Sequence, residues 1–309
     1  MITSKVSVIG AGSVGAACVQ RIAERGYADI VLVDIIEGLP QGKSLDILES
    51  MPIFGCDRHI IGTNSYQETV DSDVVVITSG VTRKPGTTRE ELLQTNMNII
   101  AEVTRNVVNN SPNCIIIMVT NPLDAMTYLA LRTSRFPQNR VMGLSGVLDT
   151  ARLRSFIAAE LNVSVEDIYA CILGQHGEKM VILPRLCTVC GIPITKLLPR
   201  ETIDKLVERT LKAGAEIVDL LKTGSAFSAP SAGVAQMVEA IILDKKQILP
   251  CATYLDGEYG IKDTVISIPV KLGKSGIEQI IELGLTIKEK SALDDSARVV
   301  QELVKAMKL

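Results

Sequence analysis

The segment 173–177 (LGQHG) carries a side chain suited to acid–base chemistry at neutral pH. His176 is one of only two histidines in 309 residues, and it lies between glycines after the apolar run 168–173. Such a run predicts a buried strand, and the glycines predict a sharp turn at its end. Because the ordinary pKa of imidazole is near neutrality, His176 could accept and return a proton. The alternative is a structural histidine at a strand end, which is the commoner role for an isolated histidine.

A glycine-rich turn follows the apolar segment 5–9 (KVSVI), which predicts a strand. The turn has the spacing G-x-G-x-x-G, opens a predicted helix, and precedes an acidic residue at the end of the next predicted strand, a context typical of dinucleotide binding. The candidate cofactor contacts are Gly10, Ala11, Gly12, Ser13, Val14, Gly15 and Asp34.

Each glycine of this turn has a separate physical role in that interpretation. Gly10 allows a tight turn, Gly12 lets the backbone approach a pyrophosphate, and Gly15 permits close helix–strand packing. The helix amino end supplies N–H donors to the phosphates. Asp34 would accept a hydrogen bond from the ribose 2′-hydroxyl and repel a 2′-phosphate, which favours NAD over NADP. A glycine-rich turn beside a solvated aspartate is the alternative.

The polar loop 82–89 (TRKPGTTR) holds Arg83, Arg89 and a glycine that could act as a hinge. A charged loop is usually only a solvated surface. This one, however, follows the carboxyl end of a predicted strand, where ligands bind in open α/β folds. Because arginine binds carboxylates bidentately, the loop is a candidate site for an acidic substrate.

Two further groups of polar residues are candidates for the same site. Asn121 follows another predicted strand, and either contacts a ligand or caps the helix that begins at Pro122. Asp149 and Arg152 are three residues apart on a predicted helix. They either form an ordinary ion pair worth roughly 0.2–0.5 kcal/mol, or orient His176 and bind an anion.

The elements that must position these residues fall into two patterns. Up to residue 144, buried strands alternate with helices, which predicts a doubly wound parallel sheet. From residue 145 onward, extended segments are grouped at 168–173, 180–194, 248–254 and 265–270, with helices at 148–161, 203–221, 231–243 and the carboxyl terminus. We therefore predict an α/β protein with a dinucleotide-binding domain at 1–144 and an α+β substrate domain at 145–309.

Composition restricts the classes of partner. The chain is 47% hydrophobic and 22% charged, with a formal net charge of −3 and no basic stripe, which argues against nucleic acid and anionic membranes as partners. No apolar run is long enough to cross a bilayer and no signal peptide is seen, so we expect a soluble, cytoplasmic protein. The seven cysteines are scattered, and Cys187 and Cys190 lie in a stretch that looks extended. Side chains three apart in a strand face opposite ways, so neither a disulfide nor a metal site is expected.

Five of these motifs, in this order, resemble the lactate/malate dehydrogenase family over essentially the whole chain, and within it most closely the malate dehydrogenases of the lactate-dehydrogenase-like group. The motifs are the glycine turn with Asp34, 83–89 (RKPGTTR), 119–122 (VTNP), 148–152 (LDTAR) and 174–177 (GQHG). The resemblance implies NAD-dependent oxidation of a 2-hydroxy acid by an oxidoreductase. It also implies a homo-oligomer, with a tetramer favoured over a dimer.

The resemblance also implies a role for each matching residue. His176 would be the proton acceptor and Asp149 its carboxylate partner. The substrate would contact Arg152 through its C1 carboxylate, Arg89 through its carbonyl, and Asn121. The further cofactor contacts would be Asn96, Val119, Thr120 and Asn121.

Arg83 decides the expected substrate. Lactate dehydrogenases usually carry an uncharged glutamine at the matching position, whereas an arginine needs a second carboxylate. We therefore expect malate and oxaloacetate, as in the tricarboxylic acid cycle, because a site built to pair a polar group can reject an analogue that lacks it by ~10⁴-fold. The rivals are a lactate or other 2-hydroxy acid dehydrogenase, an NAD-dependent metal-assisted glycosidase, and a non-catalytic NAD-binding module.

Overall fold

Six parallel strands form the first part of the fold in a computed structural model that describes residues 3–81 and 89–308, the side chain of Arg89 excepted. They lie in the order β3-β2-β1-β4-β5-β6, which places the strand-order reversal between β1 and β4. Their bounds are β1 Lys5–Ile9, β2 Asp29–Val33, β3 Ile60–Thr63, β4 Val74–Ile77, β5 Ile115–Met118 and β6 Val141–Gly143. The prediction of a doubly wound parallel sheet is therefore confirmed.

Helices connect these strands, as the alternating sequence pattern predicts. Their bounds are α1 Ser13–Ala23, α2 Leu39–Phe54, α3 Arg89–Asn110 and α4 Leu123–Ser134. The strands carry Val and Ile on both faces and are buried on both, as expected of a sheet covered by helices. Ligands bind such sheets beyond the carboxyl ends of the strands, at the reversal of strand order.

The second part of the chain adds antiparallel strands to the same sheet and forms a separate three-stranded sheet in the order β11-β10-β7. Its strands are β7 Ile168–Tyr169, β8 Ile172–Gly174, β9 Met180–Ile182, β10 Thr188–Val189, β11 Ile192–Pro193, β12 Gln247–Asp256, β13 Lys262–Gly273 and β14 Gly276–Ile280. Its helices are α5 Gly146–Leu161, α6 Ile194–Leu197, α7 Arg200–Leu221, α8 Ser228–Ile242 and α9 Ile287–Ala306. A single pair, Gly143 with Ala252, joins β6 to β12, so one sheet runs through both parts.

The extended segments predicted at 168–173 and 180–194 are wrong as continuous strands. The first divides into β7 and β8, which belong to different sheets. The second divides at Pro184, which begins a short 3₁₀ helix, and at the turn Cys190-Gly191. Both turn residues have positive φ, the conformation of a two-residue type I′ hairpin turn, so β10 folds back onto β11.

The cysteines differ in exposure. Cys187 is buried and Cys190 is exposed, so the two thiols do not meet, and all seven cysteines are free. Within the described ranges, no helix is long and apolar enough to cross a membrane.

Candidate active site

The glycine turn connects β1 to α1 at the reversal of strand order. Gly10 has φ of 111°, and a Cβ there would lie 2.7 Å from Thr78 Oγ1. At Gly15 a Cβ would lie 1.8 Å from the carbonyl oxygen of Gly10, so these two positions require glycine for the turn itself. At Gly12 a Cβ would meet nothing within 4 Å, so this residue faces open space. No side chain caps the amino end of α1, which leaves its first N–H groups directed at that space.

Asp34 is held beside this turn by the backbone. Its Oδ2 accepts a hydrogen bond from Ala11 N at 2.6 Å, and its Oδ1 accepts one from Ile36 N at 3.0 Å. Each carboxylate oxygen has a second acceptor site, so Asp34 can still receive a hydroxyl hydrogen bond. Together with the glycine turn it lines a cavity of about 430 Å³ that is suited to a dinucleotide.

Lys43 contacts the same turn from a neighbouring helix, and no motif in the sequence indicates this contact. From α2 its Nζ donates a hydrogen bond to Ala11 O at 2.7 Å. Both backbone groups of Ala11 are therefore bound within the protein, so Ala11 supports the turn from inside. Lys43 places a positive charge beside the turn, where a pyrophosphate would be stabilised.

His176 lies in the turn after β8, directly in contact with α5. Its Nδ1 is 2.7 Å from Asp149 Oδ2, and Arg152 Nη1 donates to the other oxygen of Asp149 at 3.2 Å. The side chain of Asp149 is 2% exposed, that of Arg152 12% and that of His176 17%. The predicted group of proton acceptor, carboxylate and arginine is thus assembled in one place.

The electrostatics of this group favour proton transfer. Burial alone would lower the pKa of His176, but the charge and hydrogen bond of Asp149 outweigh it and the pKa is raised. Because the carboxylate accepts at Nδ1, the neutral ring carries its proton there and leaves Nε2 as the base. Arg152 Nε is buried without a hydrogen-bond partner among the described residues, whereas the side chain as a whole is 12% exposed, so its guanidinium can still meet an anion.

A second cavity, of about 350 Å³, contains His176 and adjoins the first. Both are lined by Thr78, Gly80 and Val81, which makes them one continuous cleft. Val119, Thr120 and Asn121 line the second cavity, together with Val14 of the glycine turn. The segment that leads into α8 and the first turn of that helix also line this cavity, with Ser225, Ala226 and Pro230. None of these three residues was predicted from the sequence.

Asn121 is free for a ligand, and its alternative role as a helix cap is wrong. The residue that caps α4 is Pro122, and α4 begins at Leu123. Asn121 is exposed, and its side-chain amide has no hydrogen-bond partner within the described part of the chain. Thr120 is fixed instead, because its hydroxyl donates to Ser79 O at 2.6 Å.

Asn96 supports the cleft through hydrogen bonds to two of the backbone segments that line it. It is 1% exposed, its Oδ1 accepts from Val81 N at 2.8 Å, and its Nδ2 donates to Val81 O and to Asn121 O. All of these bonds are to protein backbone, so the contact of Asn96 with a cofactor stays a prediction. Its observed contacts tie the end of one loop to Asn121.

The predicted substrate residues Arg83 and Arg89 are not part of this geometry. Arg83 lies outside the described residues, and so does the side chain of Arg89. Within the described ranges, no group of three or more His, Cys, Asp or Glu residues could hold a metal ion.

Comparison with known proteins agrees with this geometry. Residues 4–143 match the model of the NAD-binding domain of lactate/malate dehydrogenases, and residues 146–308 match the model of their α/β carboxyl-terminal domain. The chain belongs to the lactate/malate dehydrogenase family. NAD is accordingly its cofactor, and it is an oxidoreductase.

Sequence and structure are both similar to those of individual members of the lactate/malate dehydrogenase family. It is 56% identical to the malate dehydrogenase of Thermomicrobium roseum over 304 residues, 98% of each chain. The structure of the malate dehydrogenase from Salinibacter ruber has a TM-score of 0.95 at 51% identity, with 98% of this chain and 97% of that one covered. The lactate dehydrogenase of Cryptosporidium parvum, solved with lactic acid and NAD, has a TM-score of 0.96 at 39% identity, with 100% and 99% covered. Backbone shape therefore does not separate the two activities.

Proposed function

We propose that the chain is an NAD-dependent malate dehydrogenase that interconverts (S)-malate and oxaloacetate. The observation that carries the reaction type is the bond of His176 Nδ1 to Asp149 Oδ2 at 2.7 Å, beside Arg152, in a cleft continuous with the glycine turn. Relatives 51–56% identical over nearly the whole chain are malate dehydrogenases, which supports the substrate. Lactate dehydrogenase is the less well supported alternative.

The described residues fit NAD. The open space at Gly12 admits a pyrophosphate, the uncapped α1 offers N–H groups to it, and the Asp34 carboxylate suits an unphosphorylated ribose. A bound NAD would supply the acceptor for the hydride of C2 of the substrate. The apolar side chains Val14, Val119 and Leu148 line the inner cavity and exclude water from the reacting end.

The proton follows a separate route through the protein. His176 accepts the hydroxyl proton of malate at Nε2, so the C2–O bond becomes a carbonyl as the hydride leaves. The resulting imidazolium is stabilised by Asp149, whose bond at Nδ1 also fixes the ring orientation. In the reverse direction the same imidazolium returns the proton to the carbonyl oxygen of oxaloacetate.

Arginines provide the electrostatic contacts of the proposed mechanism. Arg152 binds the C1 carboxylate with its guanidinium, and its contact with Asp149 holds it beside the histidine. We further propose that Arg89 polarises the substrate carbonyl and that Arg83 binds the second carboxylate. Asn121 contacts both substrate and cofactor from the loop after β5.

Paired substrates provide the direct test of the proposal. NADH oxidation is followed by absorbance with oxaloacetate and with pyruvate, and each assay is repeated with NADPH. We expect oxaloacetate to be preferred by ~10⁴-fold in kcat/KM, because pyruvate leaves Arg83 unpaired. NADH should be preferred over NADPH because Asp34 repels a 2′-phosphate.

Replacement of Arg83 separates substrate choice from general loss of activity. Arg83→Gln should lower kcat/KM for oxaloacetate by orders of magnitude and raise the relative rate with pyruvate. Lys84→Gln removes the neighbouring charge and serves as the matched control. An unchanged preference in Arg83→Gln would show that another residue selects the substrate.

Several coarser features support further proposals about the whole protein. We propose that residues 1–144 bind the cofactor and that residues 145–309 complete the substrate site. We also propose a homotetramer that acts in the tricarboxylic acid cycle in the cytoplasm. Exposed leucines and isoleucines on α2, among them Leu45, Leu48 and Ile53, support the assembly of several copies.

A further inference from the structure

Two successive backbone N–H groups of the catalytic turn are held by side chains from distant elements. Gln175 N donates to Ser296 Oγ of α9 at 2.7 Å, and His176 N donates to Asp124 Oδ2 of α4 at 2.8 Å. These contacts span 121 and 52 residues of sequence. They fix the main chain of the turn, whereas the bond to Asp149 fixes the imidazole ring.

Asp124 is an unusual choice for a purely structural contact. It lies in the first turn of α4 and is only 3% exposed. One carboxylate oxygen holds the backbone of His176, and the other, Oδ1, is buried without a hydrogen-bond partner among the described residues. A neutral acceptor such as that of Ser296 would hold an N–H without the cost of a buried carboxylate.

We propose that Asp124 is a positioning residue with two functions, which fixes the backbone of His176 and places a second negative charge beside its imidazole. Asp149 and Asp124 then flank the histidine, one on the ring and one on the main chain. This inference rests on the proposed role of His176 as proton acceptor. It extends that role to a residue of α4 that contacts the main chain of the histidine and not its ring.

The electrostatics support an interaction between Asp124 and the histidine. Burial is the main cause that raises the pKa of Asp124 to about 7, and Asp149 raises it further, while His176 lowers it. The Asp124 charge in turn raises the pKa of His176, which the charge of Arg152 opposes. Each group therefore shifts the pKa of the other, and their titrations are coupled.

Among the residues that the structure describes, the other elements that touch this region add no further charge to the pair. From α3, Asn96 binds the backbone of Asn121, and from α9 the hydroxyl of Ser296 is neutral. Arg132 lies two turns along α4 and is paired with Asp263 of β13. Within the described ranges, the charged groups that act on Asp124 and His176 are therefore Asp149 and Arg152 of α5.

The two functions can be separated by substitution. Asp124→Asn keeps an acceptor oxygen and the side-chain shape but removes the charge. Asp124→Glu keeps the charge but adds a methylene, which displaces the carboxylate. Ser296→Ala removes the neighbouring bond without any change in charge, and Asp73→Asn is the matched control, because Asp73 also accepts from a backbone N–H, that of Lys5 at 2.8 Å.

Titration of the imidazoles in the free protein is the primary measurement. With only two histidines, ¹⁵N-labelled protein gives two resolvable sets of imidazole signals, and exposed His59 is the internal reference. We expect Asp124→Asn to lower the pKa of His176 by about 1, and to turn a broad titration into a simple one. Ser296→Ala and Asp73→Asn should leave the His176 midpoint unchanged.

Kinetics supply the second measurement. In Asp124→Asn the acidic limb of kcat/KM for malate oxidation should move to lower pH together with the His176 midpoint. Asp124→Glu should lose kcat by about tenfold or more with a midpoint close to that of the wild type. An unchanged His176 midpoint in Asp124→Asn would overturn the charge function, and undiminished kcat in Asp124→Glu would overturn the positioning function.

Stability is followed for every variant by thermal melting. Should Asp124→Asn fail to fold, Asp124→Glu and Ser296→Ala still test whether the turn must be held in place. The titration needs no substrate, so a result for Asp124 stands even if the wild type fails to turn over malate. Such a failure would refute the proposed function and not the coupling.

Discussion

At the scale of single residues, His176 is fixed by both its ring and its main chain. Asp149 binds the ring at Nδ1, and Asp124 binds the backbone N–H. The remaining nitrogen, Nε2, belongs to a side chain that lines the cleft. Since the chain has one other histidine, exposed His59, the catalytic role can be tested against a natural control.

Replacement of His176 with Asn should remove the base and leave the cofactor site intact. We expect turnover to fall by ~10²–10⁴-fold or more, because general acid–base catalysis contributes about that factor. NADH binding, measured by its fluorescence, should be unchanged. His59→Asn should retain full turnover, and activity that survived in His176→Asn would assign the base to another group.

The pH dependence of stability also depends on single residues. The pKa of Asp124 is raised from 3.8 to about 7, so between these values the folded state binds more protons than the unfolded state. Stability from this group is therefore present at low pH and is lost as pH rises toward 7. His176, whose pKa is also raised, contributes in the same direction, and loses its contribution as pH rises through its folded pKa.

Asp124→Asn should remove this loss of stability. Its melting temperature relative to the wild type should rise between about pH 4 and about pH 7, since the variant no longer deprotonates a buried group. Thermal melts in a series of buffers measure the difference. A constant difference across that range would contradict the raised pKa, and Asp73→Asn should give such a constant difference.

At the scale of elements, the turn between β1 and α1 joins two functions in six residues. Gly10 and Gly15 are required because a Cβ would strike Thr78 or the backbone of the turn. Gly12 has φ of −66°, which any residue can adopt, and faces open space. Packing therefore dictates two of the glycines, and the third is explained by the approach of a cofactor.

Alanine substitutions at Gly12 and Gly15 should affect different properties, cofactor binding at Gly12 and stability at Gly15. Gly15→Ala places a Cβ 1.8 Å from the Gly10 carbonyl, and should lower the free energy of unfolding by about 1–3 kcal/mol or more. Gly12→Ala should leave the melting temperature nearly unchanged but weaken NADH binding. Thermal melts and NADH titrations of both variants test this, and equal destabilisation by the two would refute it.

At the scale of the whole molecule, one sheet and one large core span both predicted domains. The core includes Val6 and Val8 of β1 as well as Val265 and Ile268 of β13. A second, smaller core lies under α5 and α7 and contains Ile157 and Leu206. The cleft forms where the two parts meet, so residues of both contribute to it.

Assembly is tested best at the exposed apolar side chains of α2. We expect a wild-type mass four times the 33.3 kDa of the chain in sedimentation or light scattering. Leu45→Glu combined with Leu48→Glu should reduce that mass, because an interface would then have to bury two unpaired carboxylates. Asp46→Lys, on the same helix, should leave it unchanged, and a wild type that sediments as a monomer would refute the tetramer.

Much of the fold and site could be predicted because the signals are local. The glycine turn and Asp34 follow a strand–turn–helix spacing that is fixed by the backbone, and Asp149 and Arg152 share a helical face. By contrast, the apolar residues of segment 180–194 follow no clear helical or strand period, and the prediction of one continuous strand there is wrong. Pro184 and the positive φ of Cys190 and Gly191 break it into short pieces.

From the sequence alone, five motifs in order indicated the reaction type and the cofactor, because together they resemble those of one dehydrogenase family. Only the tertiary structure decided that His176, Asp149 and Arg152 meet, and that the cavity around them continues into the cofactor crevice. It also revealed Lys43, Asp124 and Ser296, whose contacts are 32 to 121 residues away in sequence. Such contacts have no local signature, because packing brings their partners together only after the sheet has formed.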